Sequence, residues 1–118
     1  MSIRVVTQFL TESTVLIRAY VTDMLDAKVD PTTSIKVSIL DPDGNVEVDG
    51  ADMTKATEGE ADADYTGVYD YIFQTDVDTD QGKYVGVVKV VDGSGATAKT
   101  STGTFNFEIK PGINVAGA

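Results

Sequence analysis

Apolar and polar residues alternate with a period of two along most of the chain, the spacing of strands that bury one face. Over residues 13–22, Val15, Ile17, Ala19 and Val21 share one face and Leu16, Arg18, Tyr20 and Thr22 the other. Residues 34–40 repeat this, with Ile35, Val37 and Ile39 opposed to Lys36 and Ser38. In 67–74, Tyr69, Tyr71 and Phe73 alternate with Asp70, Ile72 and Gln74; in 83–91, Tyr84, Gly86, Val88 and Val90 alternate with Val85, Val87, Lys89 and Val91. In 104–110, Phe105, Phe107 and Ile109 face a core while Asn106, Glu108 and Lys110 face water. Less regular strands fall at 3–9 and 45–49. The pattern predicts an all-β antiparallel sandwich of about seven strands.

Turn residues punctuate these runs. Asp41-Pro42-Asp43-Gly44 is a type I turn sequence, since proline presets φ at its second position. Asp92-Gly93-Ser94-Gly95 marks another turn, and Asp30-Pro31 opens a connection. The acidic, alanine-rich stretch 49–64 has room for one irregular turn of helix. The pattern divides the chain into a domain over 1–110 and an extended arm over 111–118, whose side chains are small and sparse.

Composition narrows the chemistry. The 118 residues are 42% hydrophobic, enough for one core, and carry 19 acids against 9 bases, a net charge of −10. Such a surface repels phosphate backbones and anionic lipid, so neither nucleic acid nor membrane is an expected partner. The chain has no His and no Cys, which removes histidine-based nucleophilic machinery, thiolate zinc sites and disulfides. No enzymatic activity is expected. The first residues lack the long apolar run and small-residue cleavage site of a signal peptide.

One motif carries a resemblance. Asp80-Gln81-Gly82-Lys83-Tyr84-Val85-Gly86 is similar to the D-x-G-x-Y-x-C pattern that opens strand F of immunoglobulin domains. The resemblance implies that Asp80, Gly82 and Tyr84 form a tyrosine corner and that Gly86 stands where the family places a disulfide cysteine. Further pieces point the same way: Val15 to Asp23, Asp41-Pro42-Asp43-Gly44, Thr66-Gly67-Val68-Tyr69 and Gly82-Lys83-Tyr84. In this order they resemble disulfide-free, macroglobulin-type or prokaryotic immunoglobulin-like domains. Domains of that kind serve as spacers, decorations and adhesion modules.

Candidate sites are few. Asp76, Asp78 and Asp80 alternate as in the first half of a calcium loop, although Gln81 stands where such a loop needs glycine. Calcium is therefore the one candidate cofactor, against the plainer reading of an exposed acidic loop. Asp41, Asp43, Asn45 and Asp49 read as turn formers, and Glu58, Glu60, Asp62 and Asp64 lack an apolar pocket to raise a carboxyl pKa. Tyr69 and Tyr71 share the face of Phe73 and are assigned to the core. Val85, Val87 and Val91 instead point to the outer face of their strand, where an apolar stripe calls for cover by a neighbour. An arm that adds a strand to a partner's sheet edge is one expected route of docking, and Ile113 and Val115 would be its side-chain anchors.

These features suggest a structural protein of a virion, such as a capsid decoration or a minor head or tail protein. A domain that starts at its own Met, with no leader or anchor and with a small-residue arm, motivates this expectation. Its partners are then other capsid or tail subunits, or further copies of the chain. The alternative is an extracellular or cell-surface adhesion or spacer module, with calcium bound to its acidic loop.

Overall fold

The structure, a computed structural model, describes residues 1–11, 14–75, 81–93 and 95–109. Eight strands run in chain order: β1 Ser2–Thr11, β2 Thr14–Thr22, β3 Ser34–Leu40, β4 Val46–Asp52, β5 Thr54–Lys55, β6 Val68–Gln74, β7 Gly82–Asp92 and β8 Lys99–Ile109. They form two antiparallel four-stranded sheets, ordered β1-β2-β6-β5 and β4-β3-β7-β8. That order is the A-B-E-D and C-F-G arrangement of immunoglobulin-like sandwiches, with one strand added beside C. The fold is thus the sandwich that the period-two pattern predicts, with eight strands where about seven are expected.

The differences have local causes. The stretch 49–64 holds no helix. Its first part continues β4 and, after Met53, passes as β5 to the other sheet, so one extended segment bridges both layers. A tight turn follows, closed by Ala63 N–H donating to the Glu60 carbonyl at 3.1 Å. Strand β8 begins at Lys99, five residues before its regular alternation, because Thr100 to Gly103 pair with β7 without apolar side chains to reveal it. The Asp41 turn forms as read: its carboxylate accepts from Asp43 N–H at 3.0 Å and Asn45 N–H at 2.8 Å.

The core lies between the sheets. Val15, Ile17 and Ala19 of β2 meet Val37 and Ile39 of β3 and Val88 and Val90 of β7, all fully enclosed. Tyr69 and Tyr71 are half-buried against this cluster. At the end of the sandwich where β7 begins, aromatic rings take over. Tyr84 has no exposed surface and stacks on Phe107 at 5.3 Å, with Phe73 of the opposite sheet tilted against both at 5.7 Å.

Gly86 allows this arrangement. Its neighbour across β8 is Phe105, and a Cβ on Gly86 would fall 2.2 Å from the tip of that ring. Phe105 therefore lies over the bare backbone of Gly86 and stacks at 6.3 Å on Phe107. Where the resemblance places a cysteine, the space belongs to a phenylalanine from the next strand.

Gly86→Ala should force Phe105 out of its seat and cost about 1–3 kcal/mol, the range for overpacking a filled core. Urea unfolding measures this; an unchanged midpoint would show that the ring is not confined by the glycine.

Candidate docking surface

The two outer faces of the sandwich differ in chemistry. On the sheet of β1, β2, β6 and β5, the outward residue Arg18 is buried by the segment that precedes β6. Its guanidinium donates to both carboxylate oxygens of Asp70, at 2.7 and 2.9 Å, to Glu60 at 3.2 Å and to the Glu58 carbonyl at 2.7 Å. Glu60 also accepts from the Tyr20 hydroxyl at 3.0 Å. The hydrogen bond donated to Asp70 raises the arginine pKa further, so the charge is permanent.

A second carboxylate ties the loops at the end where β2 finishes. Asp30 accepts from Gly67 N–H at 2.8 Å, from the Tyr69 hydroxyl at 3.1 Å and twice from Lys55, at 2.8 and 2.7 Å. The Lys55 hydrogen bond holds the Asp30 carboxyl below its ordinary range. Asp62 and Asp64 are also held low, chiefly by backbone N–H groups and further by Lys28. Carboxylates kept ionised in this way suit loop structure; a general acid needs the opposite shift.

The face of β3, β7 and β8 is built differently. Register places Leu40 opposite Val85, and Val85 opposite Asn106; one step along, Ser38 faces Val87, and Val87 faces Thr104. Val85 is 43% and Leu40 36% exposed, and beside Leu40 on β4 Val46 is 60% exposed. Between these rows lies a concavity of about 560 Å³, floored by Gly86 and Phe105 and walled by Leu40, Val85 and Val87. Lysines flank it: Lys83, Lys36 and Lys89 are all exposed outward residues. On β3, β7 and β8 the outward positions carry these three bases and the single acid Glu108, which faces Lys83, and on the adjoining β4 Asp52 pairs with Lys36 at 3.7 Å, in a chain whose net charge is −10.

The sequence-predicted residues are therefore distributed unevenly. Val85 and Val87 wall the concavity. Val91 is half-buried on the same face, two rows further along beside Ser34 and Thr100. Tyr84 and Gly82 are at the start of β7, and Gly82, at φ 132°, packs so closely on Pro42 that a Cβ would lie 2.9 Å from its ring. Asp80 of the corner motif, the calcium candidates Asp76 and Asp78, and the arm residues Ile113 and Val115 lie outside the described residues. Among the described residues no group of three or more acidic side chains is placed to hold a metal ion, and no helix is long and apolar enough to cross a membrane. Alternation alone did not single out Leu40 and Val46, because only the register puts them beside Val85.

Comparison with protein-family models, with curated proteins and with solved structures finds no significant match to this chain.

Two outcomes follow from the ion pairs. Arg18→Ala strands Asp70 and Glu60 under the covering segment and should cost about 3 kcal/mol, as loss of one partner from a largely enclosed pair does; chemical denaturation reads this, and a loss below about 1 kcal/mol, the level of a surface pair, would contradict it. The folded-state pKa of Asp30 is lowered, so its contribution is present above the unfolded carboxylate value of about 4 and is lost as pH falls through the folded value. Urea midpoints should thus drop below about pH 4, and Asp30→Asn should flatten that drop. An identical pH profile in the variant would remove Asp30 from the account.

Proposed function

We propose that this protein is a non-catalytic structural component that docks on other protein subunits through the outer face of β3, β7 and β8. The observation that carries this reading is the apolar concavity of Leu40, Val85 and Val87 on an otherwise acidic molecule. An isolated sandwich has little reason to keep these side chains in water. A sheet holds them in fixed positions, which limits the ordering cost of association. The lysine border supplies the polar rim that interfaces place around an apolar centre. Kinship with disulfide-free immunoglobulin-like domains, suggested by the Tyr84 motif and supported by the strand order, fits scaffold work. The setting we favour is a virion, with the chain as a capsid decoration or a minor head or tail protein and with capsid or tail subunits as partners.

The test is incorporation. Mass spectrometry of particles purified from the native host should detect the chain. The double variant Leu40→Ser and Val85→Thr should melt like the wild type yet be lost from particles by at least about tenfold, the effect of about 1.4 kcal/mol of binding. Absence of the wild-type chain from particles would overturn the virion setting, and undiminished incorporation of the double variant would overturn the docking face.

A further inference from the structure

A second exposed apolar feature lies at the opposite end of the molecule. The loop after β2 reads Asp23-Met24-Leu25-Asp26, and Met24 is 90% and Leu25 87% exposed. Two adjacent large apolar side chains in open solvent are a marked departure from a soluble surface. The loop that bears them is well tied. Asp23 accepts from Leu25 N–H at 2.8 Å and Ala27 N–H at 3.0 Å, its own N–H donates to the Ala27 carbonyl at 2.9 Å, and Asp26 turns the chain at φ 61°. The apolar pair is therefore presented on a fixed hairpin with the carboxylates of Asp23 and Asp26 on either side.

The concavity on the β3-β7-β8 face has the complementary character: an apolar floor and walls, flanked by Lys36, Lys83 and Lys89. Lys36 pairs with Asp52 of β4 at 3.7 Å and Lys83 faces Glu108, whereas Lys89 lies between Lys36 and Thr102, where an incoming carboxylate would find a cation with no acidic cross-strand neighbour. The two features cannot meet within one molecule. The Met24–Leu25 loop joins the start of β3, whereas Leu40 is at its far end, about 20 Å away along an extended strand.

We infer that the Met24–Leu25 tip of one copy of this chain inserts into the Leu40–Val85–Val87 concavity of a second copy, with Asp26 set against the lysine border. The contact is heterologous, tip to groove, so each added copy leaves one tip and one groove free and assembly proceeds to a ring or a linear array. This inference rests on the docking face proposed above and names its occupant.

The test uses the full chain in sedimentation velocity, at protein concentrations up to about 1 mM, where weak contacts populate. The wild type should grow from monomer to larger species with concentration, and salt should reverse this by screening the lysine–carboxylate contacts. The tip variant Met24→Ser and Leu25→Ser and the groove variant Leu40→Ser and Val85→Thr should each remain monomeric, with circular dichroism and melting confirming that both are folded. Mixed together they should form a dimer and nothing larger, because one supplies the only intact groove and the other the only intact tip. A wild type that stays monomeric, or a mixture that forms no dimer, would overturn the inference. If the groove variant is still lost from particles in that case, the docking face stands and its occupant is a foreign subunit.

Discussion

Apolar packing between the two sheets is what the rest of this sandwich depends on, and at the start of β7 an aromatic cluster supplies it. Phe73 comes from one sheet; Tyr84, Phe105 and Phe107 come from the other. The chain has no cysteine, so no covalent link relieves these rings of the task. Gly86 makes room for Phe105, and Phe105 in turn closes the gap that the glycine leaves, a cross-strand use of an aromatic ring to cover a glycine. One substitution at either position disturbs both.

The same stretch of β7 also has an outer side. There Gly86 and Phe105 line the floor of the concavity between Leu40, Val85 and Val87, while the Phe105 ring packs inward. The aromatic core and the candidate docking surface therefore lie on opposite sides of one stretch of sheet. On the other sheet the outward residue Arg18 forms ion pairs with Asp70 and Glu60 that pin the covering segment over the strands. One face is covered in part by the chain's own loop, and the other keeps an open apolar groove.

Much of this was legible in the sequence, for a physical reason. Alternation reports which residues face inward, so Val15, Ile17, Val37, Val88 and Phe107 were assigned to the core, and Val85 and Val87 to the outside, from spacing alone. Alternation does not report register. The meeting of Leu40 with Val85, the ring of Phe105 over Gly86, and the convergence of Glu58, Glu60 and Asp70 on Arg18 depend on pairings between residues tens of positions apart. The short strand β5 escaped notice because Thr54 and Lys55 carry no strand pattern. Met24 and Leu25 were not singled out, because only the loop that exposes them gives the pair a meaning.

The central claim is that the tip and the groove are the adhesive parts of a rigid sandwich. Methyl NMR of the full chain over a concentration series tests it residue by residue. The account predicts that the methyl signals of Met24, Leu25, Leu40, Val85 and Val87 shift together as concentration rises, while those of the buried Val15, Val37 and Val88 stay fixed. Shifts centred on the exposed Leu10 and Ile72 of the opposite sheet, or no concentration dependence at any methyl, would contradict it.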